Sequence, residues 1–171
     1  LGNQTGAATY DQGAYAVNRT VSEQSRAKRT HLLGSGQDRV TIMVYLLGTD
    51  LESRSGMATM DLQEMLNAKL SDKVNIIFET GGTSQWKNEI MSRRTNQRYR
   101  LSSQGLIRLE ADLGRKSMVS PDTLSDFIRY SKTNFPAERY FLIFWDHGGG
   151  SVTGYGYDEY FKGDTMTLAE I

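Results

Sequence analysis

The sequence predicts an α/β fold, an αβα sandwich in which helices cover both faces of a mainly parallel β-sheet. Three apolar runs of strand length support this prediction: "VTIMVYLL", "VNIIFETGG" and "YFLIFW". Near-continuous apolar and β-branched runs are typical of strands that are covered on both faces. Because helical segments separate these runs, we expect successive strands to be joined by right-handed parallel crossovers.

The first half of the sandwich is expected to be a strand–helix–strand unit. Its first strand is Val40–Leu47, and Gly48 with "TDLESRSG" forms the turn that follows. An amphipathic helix comes next, because apolar residues recur at helical spacing. These residues are Ala58, Leu62, Met65, Leu66 and Leu70. "VNIIFETGG" is the second buried strand.

The second half is predicted to hold a hairpin, a helix and a third strand. "NQRYRLSSQGLIRLEAD" alternates and is punctuated by "SSQG", which indicates an antiparallel hairpin. In "SPDTLSDFIRYSKTNF", Ser120 suits the N-cap and Pro121 the first turn of a helix that ends before Pro136. "RYFLIFWDHGGG" is the third buried strand. "TMTLAEI" is expected to open another helix, capped by Thr165 or Thr167, so we expect further polypeptide to complete the sheet.

The chain is expected to divide into a polar leader, residues 1–38, and a domain, residues 39–171. The leader contains the basic cluster "RAKR" and is interpreted either as a solvated linker or as a pro-segment with cleavable basic sites. One of the two histidines, His31, lies in it and is expected to have no catalytic role.

Composition excludes several classes of function. The 171 residues carry 20 basic and 20 acidic side chains, which gives no reason to expect nucleic acid or a charged membrane as partner. No apolar run reaches the roughly 18–20 residues that span a bilayer. Cysteine is absent, so this chain forms no disulfide and no thiolate metal site.

Catalytic chemistry is predicted at His147. Ligands and catalytic groups gather at the carboxyl ends of parallel strands, and His147 follows such an end. An imidazole can take and return a proton near neutral pH, and the glycines after it offer unobstructed backbone N–H groups to an oxyanion. The alternative is a structural histidine with glycines that only turn the chain. The "HGGG" element also resembles the oxyanion loop of some esterases, although their G-x-S-x-G element does not occur in this sequence.

Three elements taken together resemble the clostripain family of cysteine endopeptidases: "VTIMVYLLGTDLES", "IIFETGG" and "YFLIFWDHGGG". This family is grouped with caspases, legumains and gingipains, and the resemblance covers Arg39 to Ile171. It implies a caspase-like sandwich, of which residues 39–171 form the N-terminal part. It also implies a secreted or cell-surface bacterial protein that cleaves peptides after Arg or Lys with a Cys–His dyad. His147 takes the role of the catalytic histidine, and the Gly148 N–H contributes to the oxyanion hole.

In that family the cysteine lies at the end of the next strand, with an acidic residue near it that selects the basic side chain. Neither is in this chain, so the resemblance implies a second chain or further polypeptide that carries the cysteine. Lys162 is the one basic residue between His147 and Ile171, and it lies in the glycine-containing stretch "GYGYDEYFKGD". It is therefore a candidate site of self-processing, the alternative being an ordinary surface lysine.

Two other functions stay open: a non-catalytic peptide-binding partner chain, and a serine esterase that uses "HGGG" as its oxyanion loop. The resemblance also allows a calcium requirement, and Asp50 and Glu52 after the first strand are acids of the type that binds Ca²⁺. The alternative for these acids is a solvated turn in which Asp50 or Ser53 caps the following helix.

Overall fold

The computed structural model of the protein describes residues 36–162 and 164–171. Most of the predicted leader, residues 1–35 with His31, lies outside the described residues, as does Gly163. The strands of the described part are β1 (Val40–Leu47), β2 (Val74–Gly81), β3 (Gln97–Ser102), β4 (Gly105–Glu110), β5 (Arg139–Trp145), β6 (Gly148–Gly149) and β7 (Gly154–Tyr155). Its helices are α1 (Thr49–Ser53), α2 (Met57–Asn67), α3 (Pro121–Asn134) and α4 (Gly150–Thr153).

The main sheet has the strand order β4-β3-β2-β1-β5. Strand β1 is parallel to both β2 and β5, as the strand–helix–strand prediction requires. Strands β3 and β4 form the predicted antiparallel hairpin and extend the sheet beyond β2. A small second sheet pairs β6 with β7, directly after β5 in the chain.

Two hydrophobic layers, one on each face of the sheet, make the fold the predicted αβα sandwich. Successive side chains of a strand point to opposite faces, so β1 contributes to both layers. The α3 layer contains Tyr45, Leu47 and Phe127. On the opposite face, Val44 and Leu46 pack with residues of α2.

Strand β5 differs from its prediction as a strand buried on both faces. It lies at the edge of the sheet and pairs with β1. Tyr140, Leu142 and Phe144 pack against the α3 layer, whereas Phe141 is 53% exposed and Ile143 is 46% exposed. Its continuous apolar run indicates two covered faces, but on the second face only Trp145 packs against the core, and Phe141 and Ile143 stay half exposed.

The helix ends agree in part with the sequence analysis. Helix α2 stops at Asn67, so Leu70 lies beyond it. Ser120 occupies the N-cap position of α3, but its side chain makes no capping hydrogen bond. Thr167 opens a helical turn. Its N–H donates to the Glu170 carboxylate, which is one half of a capping box, and its hydroxyl donates to the same oxygen. No helix among the described residues has the length and apolar composition that crossing a membrane requires.

A buried ion pair links the sheet to helix α3. Arg98 lies opposite Glu79 in the β2–β3 ladder, and its Nε is 2.6 Å from Glu79 Oε2. A second guanidinium nitrogen is 2.7 Å from Asp126 of α3, and the Tyr130 ring lies 4.3 Å from the guanidinium carbon. Burial raises the pKa of Glu79, and the neighbouring Arg98 charge opposes that rise. Removing one partner would leave an uncompensated buried charge, which is costly.

We predict that Arg98→Ala lowers the free energy of unfolding by about 3–5 kcal/mol, because it leaves the buried Glu79 carboxyl without its partner. Urea denaturation followed by circular dichroism measures the change. Adding Glu79→Gln to Arg98→Ala should restore part of the loss, since a neutral amide is less costly to bury than a carboxylate. Arg94→Ala, at an exposed position, is the matched control. Equal losses in Arg98→Ala and Arg94→Ala would contradict the prediction.

Candidate functional site

The site lies where the parallel strands β1 and β5 end at the same edge of the sheet. Leu46 pairs with Trp145 at the ends of these strands, so the segments that follow them lie side by side. The predicted base, His147, has a side chain that is 48% exposed, and its Nε2 is 2.8 Å from Asp50 Oδ1. The structure therefore places the predicted histidine at the carboxyl edge, in contact with an acid from the neighbouring segment.

A second contact joins the residues just before this pair. The Thr49 hydroxyl donates to Asp146 Oδ1 at 2.7 Å, and the Thr49 carbonyl accepts a hydrogen bond from Thr83 at 2.9 Å. Thr49 is fully buried and has φ +44°, the left-handed region that β-branched residues rarely adopt. Such a conformation costs about 1–3 kcal/mol and persists where neighbouring contacts enforce it. The chain is thus turned sharply, and held there, immediately before Asp50.

The Asp146 carboxylate holds two segments in place. Its Oδ2 accepts a hydrogen bond from the Tyr157 N–H at 3.1 Å, and its other oxygen binds Thr49. Burial raises the pKa of Asp146, and the hydrogen bond from Thr49 opposes that rise. The acid that precedes His147 in sequence therefore fixes the loops on both sides of the histidine.

Tyr157 covers one side of the His147 ring. The two rings are stacked, with centroids 5.9 Å apart and an interplanar angle of 16°. The Tyr157 hydroxyl, followed by His147, lowers the pKa of Asp50. Burial, followed by the interaction with Asp50, raises the pKa of Tyr157 to about 12. Tyr157 therefore stays protonated at neutral pH beside an ionised Asp50.

The three glycines after His147 serve different purposes. At Gly148, the predicted oxyanion donor, an added Cβ would meet no atom within 4 Å, so the backbone is open to an approaching molecule. At Gly149 a Cβ would lie 1.4 Å from Thr153 Oγ1, and Gly150 has φ +61°. A close approach and a left-handed turn thus require the second and third glycines, and the first is free for contact with a ligand.

Buried carboxylates anchor the surrounding loops. Glu52 is fully buried and accepts hydrogen bonds from the Thr59 N–H at 2.9 Å and the Lys87 N–H at 2.6 Å. Asp158 is buried and accepts from the Met118 N–H at 3.0 Å. Glu52, rather than Asp50 or Ser53, thus accepts the hydrogen bond of a backbone N–H in the first turn of helix α2.

The arrangement does not fit the calcium site that Asp50 and Glu52 suggested. Asp50 contacts His147, whereas the Glu52 carboxylate is buried against Thr59. Within residues 36–162 and 164–171, no three His, Cys, Asp or Glu side chains come together in a way that could hold a metal ion.

Lys162, the candidate processing site, is exposed. It lines an open groove of about 660 Å³ together with Tyr157, Glu159 and Asp164. Because Tyr157 also stacks on His147, this groove lies beside the histidine.

Sequence analysis predicts His147 and Gly148 as site residues but does not predict the side chains that contact the histidine. From the sequence, Asp50 is a candidate metal ligand or helix cap, and no role is predicted for Thr49 or Tyr157. The signal was available for Asp50, because residues that follow adjacent parallel strands share one edge. To use this signal, one has to assume that β1 and β5 are neighbours, so that the segments after them lie side by side.

Comparisons with known proteins agree with the α/β fold. The family model described as the clostripain family matches residues 44–171. A secreted C11 cysteine protease from Bacteroides thetaiotaomicron, solved with an irreversible peptide inhibitor, has a TM-score of 0.57 and 21% identity; the match covers 77% of this chain and 37% of that one. An inactive zymogen C11 protease from Parabacteroides distasonis has a TM-score of 0.51 and 22% identity, over 66% of this chain and 31% of that one. No curated protein sequence matches the chain.

We predict that Gly156→Ala destabilises the fold more than Gly114→Ala does. Both glycines have positive φ, +64° and +75°, so alanine is strained at either position. At Gly156 the new Cβ would also lie 2.6 Å from Leu47 Cδ2 and 2.7 Å from Asp146 Oδ2, whereas Gly114 has open space around it. We expect Gly156→Ala to cost about 1–3 kcal/mol more, measured by urea denaturation. Equal unfolding midpoints would show that the Gly156 site can relax.

Proposed function

The chain belongs to the clostripain family of cysteine peptidases, and from that premise we propose that it is the histidine-bearing part of an endopeptidase that cleaves after Arg or Lys. The contact between His147 and Asp50 at the carboxyl edge of the sheet is the observation that carries the proposal. It gives a half-exposed imidazole a fixed orientation beside an open backbone segment, as proton transfer and oxyanion binding require.

His147 is the general base and acid of the proposed reaction. It takes the thiol proton of a cysteine, so that the thiolate attacks the peptide carbonyl, and it returns the proton to the leaving amine. Gly148 supplies a backbone N–H to the oxyanion. The open space around Gly148 supports this role, because a substrate carbonyl can approach it without a clash.

The cysteine lies on further polypeptide, since this chain contains none. Strand β5 supports this arrangement: it pairs with β1 on one side, and Phe141 and Ile143 are half exposed on one of its faces. A strand added next to β5 would end beside His147 and could place a nucleophile there. The proposed substrates are peptides with Arg or Lys, and export from the cell fits the description of the B. thetaiotaomicron relative as secreted.

The alternatives are distinguished by the residue at the end of that next strand. A cysteine supports the peptidase, a serine in a G-x-S-x-G turn supports the esterase, and an inert residue supports a peptide-binding partner. The family match favours the first of these. Mass spectrometry of the polypeptide that co-purifies with the chain identifies the residue.

We predict that His147→Ala lowers cleavage of Arg- and Lys-containing peptides by about 100-fold or more, because a general base contributes at least that much to the rate. The assay measures kcat/KM on a fluorogenic peptide with the cysteine-bearing polypeptide present. His31→Ala removes the other histidine of the chain and should leave the activity unchanged. A folded His147→Ala protein of near-normal activity would refute the role of this residue.

We also propose that the enzyme processes itself after Lys162. The side chain is exposed and lines the same groove as Tyr157. Tyr157 stacks on His147, so the groove lies beside the histidine. A cleavable bond tethered near its own active site has a high effective concentration, so even a modest peptidase would cut it.

We predict that Lys162→Ala leaves one band on a denaturing gel where the parent protein yields two. Lys69→Ala, an exposed lysine after helix α2, is the control and should be processed like the parent. Two bands of unchanged size from Lys162→Ala would mean that processing takes place at another residue.

A further inference from the structure

Asp50 is the acid that contacts His147, and its two carboxylate oxygens have different neighbours. Oδ1 lies 2.8 Å from His147 Nε2, and Oδ2 lies 3.7 Å from Arg54 Nη1. The Arg54 side chain is 80% exposed, so its ion pair contributes little. Of these two contacts, the one with the histidine is the shorter.

The contact fixes the position of the proton on the imidazole. An ionised carboxylate accepts hydrogen bonds but cannot donate one, so the nitrogen that faces it must carry hydrogen. Asp50 is ionised at neutral pH, since the Tyr157 hydroxyl and His147 lower its pKa. In neutral His147 the proton therefore lies on Nε2, and Nδ1 keeps the lone pair that a base needs.

The surrounding structure holds Asp50 in this position. Thr49, directly before it, is kept in the left-handed region by its hydrogen bonds to Asp146 and Thr83. Asp146, directly before His147, is the partner in one of those bonds. The two loops are therefore joined by two adjacent contacts, and the Asp50–His147 distance is not free to vary with either loop alone.

We propose that Asp50 is a positioning residue, whose carboxylate accepts the hydrogen bond from Nε2–H of His147 and leaves Nδ1 as the nitrogen that receives the proton of the nucleophile. In that step the S–H bond of the cysteine breaks, an N–H bond forms at Nδ1, and a thiolate faces an imidazolium. The imidazolium is stabilised by the Asp50 charge. This inference rests on the proposed peptidase function and adds the orientation of its base.

Nitrogen NMR tests the proton position without any peptidase activity. In a His31→Ala background, every imidazole signal of ¹⁵N-histidine-labelled protein belongs to His147. At a pH where the imidazole is neutral, we expect Nε2 to show the shift of a protonated nitrogen and Nδ1 that of an unprotonated one. In Asp50→Ala the two shifts should move toward each other as the tautomers mix. A parent protein with the proton on Nδ1, or spectra that Asp50→Ala leaves unchanged, would overturn the assignment.

Kinetics test the consequence. Asp50→Ala should lower kcat by about tenfold or more with little change in KM, since part of the general-base contribution is lost. Asp50→Asn should also lose activity, because its amide carries no charge and its NH2 group can donate to Nε2, which favours the tautomer with the proton on Nδ1. Asp72→Ala, an exposed acid before strand β2, is the matched control. An Asp50→Asn protein with the kcat of Asp72→Ala would show that the ionised acceptor is not needed, which overturns the proposal.

The outcomes separate this inference from the function on which it rests. Full activity in His147→Ala refutes the peptidase mechanism itself. If His147→Ala is inactive but Asp50→Ala has the kcat of Asp72→Ala, the peptidase function stands and the positioning role is wrong. If Asp50→Ala instead raises KM for Arg and Lys substrates at unchanged kcat, Asp50 binds the positive charge of the substrate. That result also overturns its positioning role.

Discussion

The candidate site depends on the parallel pairing of strands β1 and β5. Parallel neighbours end at the same edge of a sheet, so the segments after Leu47 and Trp145 run side by side. Side-chain contacts continue the pairing beyond the ladder: Thr49 binds Asp146, and Asp50 binds His147. Because the two contacts are adjacent, they fix both the separation of the loops and the direction of the imidazole. The hydroxyl–carboxylate contact of Thr49 and Asp146 is the more buried of the two, and the Asp50–His147 pair is the exposed one.

Carboxylates also anchor the loops at this edge of the sheet. Glu52 and Asp158 are buried and bind backbone N–H groups of neighbouring segments, which would otherwise lack partners. A charge-assisted bond to a backbone N–H is stronger than a neutral one, so a few buried acids can order several loops. The same residue type thus holds loops at Glu52 and contacts the proposed base, His147, at Asp50, two positions apart. Glu52 is fully buried, whereas Asp50 is partly exposed next to His147, and this difference in burial accompanies the difference in their contacts.

Much of the architecture could be predicted from sequence, because the signals are local. The apolar run Val40–Leu47 and the helical spacing of Ala58 and Leu62 depend on a few consecutive residues. The place of His147 at the end of a strand could be predicted in the same way. Its contact with Asp50 needs more than a local signal, since it depends on which strand lies beside which, and 97 residues separate the two. The half-exposed face of β5 was missed for the same reason: an apolar run shows that a side chain can be buried, and neighbouring elements decide whether it is.

The segment after His147 connects the proposed base to the proposed processing site. Its N-terminal part is anchored at the site, as the Gly156 N–H binds the His147 carbonyl and the Tyr157 N–H binds Asp146. Beyond Lys162 the chain returns, and Met166 exchanges two backbone hydrogen bonds with Tyr155. The anchors therefore lie on both sides of Lys162. A cut at this residue would leave each new end attached to the same small sheet, so the orientation of His147 would survive the processing that this histidine is proposed to catalyse.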